Sequence, residues 1–223
     1  LRHFSDNELP FRPDALNNYL SLPAADPGHR AAVRFLASRG KTPGTATRAD
    51  NDAFCTLVAE RYYGAVADGI RLYDPNHLYL GSRIHGRCIR PATFRGSKAV
   101  DVVSVNYYHR WSPEPERIAD WVRLSGRPVL VSEWYAMAPD EGEEVRGAGF
   151  RVRTQRDRGL FYQHFALGLL EHPGCVGWHW FKYGSRHKGI VTETFEPRRP
   201  MLDLVKQLNR QVYPLAIFFG ERR

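Results

Sequence analysis

The chain has 223 residues, 43% of them hydrophobic and 13% aromatic, enough for a sizeable core and too apolar for a disordered polymer. It has no apolar run of membrane-span length. The net charge of +8 rests on 32 basic residues, 27 Arg and five Lys, dispersed rather than blocked as in a nucleic-acid arm; a solvated basic surface is the plain reading, attraction for an acidic polysaccharide the sharper one.

Residues 1–8 read as a strand, with Phe4, Asp6 and Glu8 on one face and Ser5 and Asn7 on the other. Leu9-Pro10 ends it. The chain opens at Leu1 inside this strand, without Met or a signal-peptide pattern, which reads as a fragment. Asp26-Pro27 has the form of an N-cap with Pro at the first helical position, opening a short helix that closes at Gly40. Residues 41–50 read as a loop. From Asp52 a helix follows, with Phe54, Leu57, Val58, Tyr62, Val66, Ile70 and Tyr73 on one stripe. Asp74-Pro75-Asn76 stops it.

His77–Ser82 reads as a strand leading to Arg83 and His85, and Ala99–Tyr108 as another, apolar at Val100, Val102, Val103 and Val105. Ser112-Pro113 opens a helix with Glu114 and Glu116 in its first turn, packing through Ile118, Trp121 and Val122 and ending at Gly126. Pro128–Glu133 is the next strand, residues 136–152 a long loop. Helix Arg153–Glu171 carries Phe161, Phe165, Gly168 and Leu169 inward. Strand Cys175–Phe181 follows, and Pro200 starts a final helix with Met201, Leu204, Val205 and Leu208. Cys55, Cys88 and Cys175 lack metal-ligand spacing; Cys55 and Cys175 sit in apolar segments as small core residues.

Five near-continuous apolar strands alternating with amphipathic helices predict an α/β fold with a parallel sheet covered on its outside. Polar and aromatic residues crowd the C-terminal strand ends: Asn7, Glu8, Arg83, His85, Asn106, Tyr108, Glu133, Trp180 and Tyr183. In a (β/α)8 TIM barrel that rim carries catalysis. Five strands do not close the barrel, so the expected architecture is a partial TIM barrel, residues 1–223 forming the C-terminal portion of one catalytic domain whose first three βα units are absent. Such a portion exposes open sheet edges and apolar surface.

Two carboxylates at matching strand ends point to acid/base and nucleophile chemistry on a sugar. Retaining glycosidases hold two such groups roughly 5–5.5 Å apart, with pKa values pushed apart. Glu8 and Glu133 are the best-placed pair. The nine histidines show no zincin spacing, and no Gly-rich phosphate loop follows a strand, so neither metal nor cofactor is expected; Asp6, sharing a face with Glu8, reads as support for that carboxylate.

The segments Phe4-Ser5-Asp6-Asn7-Glu8-Leu9, Asp101–Tyr108, Val129–Trp134 and Gly177-Trp178-His179-Trp180-Phe181-Lys182-Tyr183 together resemble the C-terminal half of an agarase-type glycoside hydrolase. That group falls in a clan of retaining (β/α)8 hydrolases with an Asn-Glu pair on strand four and a Glu on strand seven. The resemblance spans nearly the whole chain, in order. It implies Glu8 as general acid/base, Asn7 as donor to the substrate 2-hydroxyl, and Glu133 as nucleophile. It matches Tyr108 to a tyrosine that hydrogen-bonds the nucleophile, against a plain rim-packing role. Trp180 is either the aromatic floor under a sugar ring or a core residue. Arg83, His85, Asn106, His179 and Lys188 are candidate substrate ligands, with structural hydrogen bonds as the alternative. The implied function is hydrolysis of β-bonds in a galactan or agar-like polysaccharide by double displacement. The implied partners are that saccharide and the N-terminal half-barrel, with no nucleic acid or membrane. The rivals are a non-catalytic carbohydrate-binding barrel and an inactive fragment.

Overall fold

Valine-rich runs between helices do form parallel strands, but each strand is shorter than the run that announces it. The computed structural model describes residues 2–140 and 145–222. It has two units: one through Val103 together with Arg123–Arg127, the other Ser104–Val122 with everything from Pro128 on.

The first unit contains β1 (Arg2–His3), α1 (Ala15–Leu20), α2 (Pro27–Ala37), α3 (Arg48–Tyr73), β2 (Leu78–Tyr79) and α4 (Pro91–Gly96). β1 and β2 are parallel, with His3 opposite Tyr79. The strand expected over residues 1–8 therefore ends at His3 within the described residues, and the facial alternation expected beyond it is lost. Asp26 caps α2 by accepting from Gly28 N at 2.6 Å, as its sequence predicts. α1 lies in a stretch read as irregular.

α3 starts at Arg48, not Asp52, because Thr47 and Asp50 form a reciprocal capping box. Its buried face also differs from expectation. Phe54 is inward, but with Cys55, Ala59, Tyr63 and Ala67 rather than with Leu57, Val58, Tyr62, Val66, Ile70 and Tyr73. The cause is the close approach of α4. A Cβ on Gly96 would stand 2.5 Å from Ala59 Cβ and 2.7 Å from the Thr56 carbonyl oxygen, so this contact selects for small side chains rather than hydrophobic ones. Leu57, Val58 and Tyr62 instead line an apolar cavity of about 680 Å³ with Leu9, Phe11 and Tyr19. Cys55 is fully buried, and burial pushes its thiol up to about 11.

The second unit, with the residues that lead into it, contains β3 (Val103–Asn106), α5 (Pro115–Ser125), β4 (Val129–Glu133), β5 (Ala136–Met137), β6 (Phe150–Arg151), α6 (Gln155–Glu171), β7 (Cys175–Trp178), α7 (Arg199–Asn209) and α8 (Val212–Gly220). The main sheet runs β3-β4-β7, with β4 and β7 parallel. Every residue of β3 and β4 is buried, as expected of a sheet covered on both faces. The 136–152 segment, read as a loop, contains the parallel pair β5–β6; its residues 141–144 lie outside those described.

α6 begins at a second capping box, Thr154 with Asp157. Its inner stripe is Phe161, Phe165 and Leu169, as predicted, joined by Arg158 and Tyr162. Gly168 sits where a Cβ would meet Pro113 at 3.1 Å. α7 packs on α6 through Met201, with Leu204 close over Gly159. α8 lies beyond the last predicted helix and buries none of its residues.

Gly96→Ala is expected to destabilise the first unit by about 1–3 kcal/mol, the cost of overpacking, although alanine is the better helix former. Urea unfolding checks the sign: a stabilised variant would mean that α3 and α4 part at no cost.

Candidate active site

In the first unit the rim is set by backbone pairing beyond β1 and β2. Leu80 N donates to His3 O at 2.8 Å, Ser5 N to Gly81 O at 3.0 Å, and Glu8 N to Ser82 O at 3.0 Å. Between the last two bonds one strand advances three residues and its partner one, so the chain bulges outward. Glu8 takes φ 56° and Arg83 φ 47°, a left-handed conformation costing a non-glycine residue about 1–3 kcal/mol. Hydroxyls hold the bulge from beneath. Ser5 Oγ meets Tyr79 OH at 2.8 Å and accepts from Tyr62 OH at 3.1 Å, while Ser82 Oγ meets Tyr63 OH at 2.7 Å. Burial pushes the Tyr63 and Tyr79 phenols upward, so both stay protonated.

The Glu8 carboxylate lies 3.5 Å from His85 Nδ1, its side chain 34% exposed. The Arg83 guanidinium stands over the Phe4 ring at 5.4 Å. Asn7 is exposed, its backbone N–H donating to Asp6 Oδ1 at 2.9 Å. Asp6 thus closes a local turn instead of sharing a strand face with Glu8. Four of the predicted site residues, Asn7, Glu8, Arg83 and His85, fall in this one unit.

In the second unit Glu133 ends β4, only 5% exposed, and its Oε2 accepts a short hydrogen bond from the Tyr108 hydroxyl. Tyr107 N binds Glu133 O at 2.7 Å, fixing the same residue through its backbone. Asn106 is fully buried, its Oδ1 accepting from Ser132 Oγ at 2.8 Å. The edge of the Tyr108 ring meets Tyr135 at 5.5 Å, and Lys188 Nζ lies 5.4 Å from the Tyr135 ring centre and 5.5 Å from that of Phe181. Lys188 is thereby placed on the aromatic wall that continues from Tyr108.

Trp134, next to Glu133, points the other way into the core, stacked on Phe165 at 4.6 Å and Tyr162 at 5.3 Å. Trp180 is half-buried against Trp134 at 5.1 Å and donates its Nε1–H to Lys188 O at 3.0 Å. His179 is exposed, its backbone N–H donating to Val131 O at 2.9 Å.

Sequence reasoning missed the residues that brace this rim. Arg158, fully buried, donates to Ala136 O at 2.9 Å, Lys188 O at 2.8 Å and Gly189 O at 3.0 Å, tying the loop after β7 to the start of β5. Its signal was available: an arginine three residues before Phe161, on the apolar stripe of α6. Tyr107 donates to Glu114 Oε2 at 2.6 Å, and Arg110 and Arg117 reach the same oxygen at 2.7 and 3.1 Å. Burial pulls the Glu114 carboxyl up, but these three donors outweigh it and hold the group at about 2.

No family model matches the sequence. The chain is 27% identical over 174 residues to Beta-agarase B of Vibrio sp. (strain JT0107), covering 71% of this chain and 18% of that protein. It is 28% identical over 185 residues to Beta-agarase A of the same strain, covering 74% and 18%. Among solved structures, BpGH50 superposes with a TM-score of 0.91 at 36% identity, covering 98% of this chain and 51% of that one. An exo-beta-agarase gives 0.84 at 25% identity, with 96% and 35% covered, and the agarase AgWH50C gives 0.79 at 27%, with 95% and 35%. Over most of its length the chain therefore resembles agarase-type glycoside hydrolases, with the mixed α/β fold of parallel strands and helices seen in them. It spans about half of BpGH50 and under a fifth of the two curated relatives.

Arg158→Leu removes the side-chain donor to the Ala136 and Gly189 carbonyls and one of the two donors to that of Lys188, and is expected to cost on the order of 3 kcal/mol; an unchanged urea midpoint would show that the loop does not depend on it. Glu114 titrates at about 2 when folded against an ordinary 4.5, so its contribution is present above about pH 4.5 and lost as pH falls toward 2. With its side chain 44% exposed the effect is modest. The stability gap between the parent and Glu114→Gln should close over that interval in denaturant titrations; a gap independent of pH contradicts the assignment.

Proposed function

We propose that the chain is the catalytic-rim half of a retaining β-glycosidase acting on a galactan or agar-like polysaccharide. Its strands β1, β2, β3, β4 and β7 correspond in this reading to strands four to eight of a (β/α)8 barrel. The observation that carries the proposal is the nearly buried Glu133 carboxylate at the end of β4, gripped by the Tyr108 hydroxyl. A carboxylate withdrawn from water and held by a phenol is oriented as a nucleophile requires. Glu8 is a partly exposed carboxyl on a strained bulge beside His85, able to exchange protons with solvent between steps. The likeness to proteins named beta-agarases supports the substrate class.

In the first step Glu133 attacks the anomeric carbon while Glu8, as the acid, protonates the departing glycosidic oxygen, leaving a glycosyl ester on Glu133. In the second, Glu8 as carboxylate takes a proton from water, which attacks the same carbon and frees Glu133. The chemistry demands carboxyl groups roughly 5–5.5 Å apart. Asn7 would hold the 2-hydroxyl, Asn106 would orient the rim through Ser132, Arg83, His85 and Lys188 would meet hydroxyl or acidic groups, and Trp180 would supply stacking surface.

Glu133→Ala in the whole protein should lower turnover of an aryl β-galactoside more than about 10³-fold. Azide should then rescue it with an α-glycosyl azide as product. Glu8→Ala should instead slow substrates with poor leaving groups by about 10²–10⁴-fold and give a β-azide. Undiminished hydrolysis by Glu133→Ala would sink the assignment, and an α-anomer as the first-formed product of the parent would sink retention.

A further inference from the structure

We propose that His3, Asp74 and His77 form a binding site for a divalent transition-metal ion of the zinc class. The three come from separate pieces of the first unit: His3 ends β1, Asp74 is the C-cap of α3, and His77 immediately precedes β2. Asp74 Oδ2 lies 2.7 Å from His3 Nε2 and Oδ1 lies 2.6 Å from His77 Nδ1. One ligand atom from each residue falls within 4.8 Å of the other two. Sequence spacing conceals the set, because Asp74 and His77 are three positions apart but His3 is 71 from Asp74; the expectation of no metal site rested on motif spacing alone.

Two imidazole nitrogens and one carboxylate oxygen make the donor set of an open zinc site, with solvent as fourth ligand. The same set disfavours magnesium and calcium, which take oxygen donors. All three side chains are 30–38% exposed, so a hydrated ion can enter and keep a water. The site sits at the C-terminal end of a 26-residue helix, where the backbone carbonyls favour a cation. The nearest base on that last turn, Arg71, is engaged with Asp101 at 3.8 Å and with Ala99 O at 3.0 Å. Hydrogen bonds from His3, then His77, hold the Asp74 carboxyl below its ordinary value. On binding, each ring nitrogen now facing Asp74 gives its lone pair to the metal and its proton sits on the opposite nitrogen. Charge is gained from the ion alone, with no redox change.

Zinc titration calorimetry on the full chain, stripped beforehand with a chelator, tests the proposal. One Zn²⁺ per chain is expected, with a rise in Tm on the order of 5 °C at a hundredfold excess over Kd. Cobalt in place of zinc should give the visible bands of a four-coordinate site. Asp74→Asn and His77→Ala should each weaken binding at least about tenfold, whereas His29→Ala should leave it unchanged. Asp74→Asn keeps shape and hydrogen-bonding capacity, so lost binding with an unaltered circular dichroism spectrum assigns the ligand rather than the fold. No stoichiometric uptake by the parent, or uptake that survives both substitutions, overturns the proposal and leaves a plain His-Asp-His hydrogen-bond clasp.

Discussion

A parallel strand covered on both faces has little place for a polar side chain along its length, and a small one where it has any. Val129, Leu130 and Val131 are each at most 3% exposed, and polar side chains come only at the last two residues of β4, Ser132 and Glu133. β3 admits only the small Ser104 before Asn106, and two tyrosines follow in succession. In these strands the larger polar groups are concentrated at the ends because burial disfavours them between. The candidate site of the second unit is a by-product of that exclusion.

The alternation of side chains then divides the work. Tyr107 turns to Trp121, Phe165 and the Glu114 cluster, and Tyr108 to Glu133. Trp134 and Glu133 split in the same way, one into the aromatic stack on α6 and the other to the rim. Aromatic pairs of this kind contribute about 0.5–1.5 kcal/mol each beyond the area they bury. In the first unit the left-handed Glu8 and Arg83 cost a comparable amount, and the Ser5 and Ser82 hydroxyl contacts, at about 1 kcal/mol each, are of the size needed to offset much of it. The rim is thus strained where the backbone bulges and stiff where the aromatics lie.

Much of this was legible. The strand cores around Val103 and Val129, the Asp26 cap, the inner stripe of α6 and the Tyr108–Glu133 partnership all follow from local pattern or from the resemblance stated on it. What escaped depended on distance. The bulge at Glu8 is imposed by pairing with Ser82, 74 positions away, so a strand pattern read from residues 1–8 could not contain it. Arg158 is visible as an arginine on an apolar stripe, but its three carbonyl partners come from β5 and from a remote loop. Ser132, small and at a strand end, carried no signal until Asn106 was beside it. The α8 helix went unread because a short apolar terminal run resembles a strand as much as a helix.

The misread face of α3 has a consequence for how this protein would be mapped experimentally. Its tightest contact is made of the Ala59 methyl, the Thr56 backbone carbonyl and Gly96, groups that truncation to alanine leaves in place. Scanning by truncation to alanine would report only the Thr56 hydroxyl along this seam and assign importance instead to the large side chains that line the neighbouring cavity. Tolerance would be misjudged in both directions. Only substitutions that add volume can make this interface speak, and homologous sequences should show it as a track of small residues whose chemistry varies while their size does not.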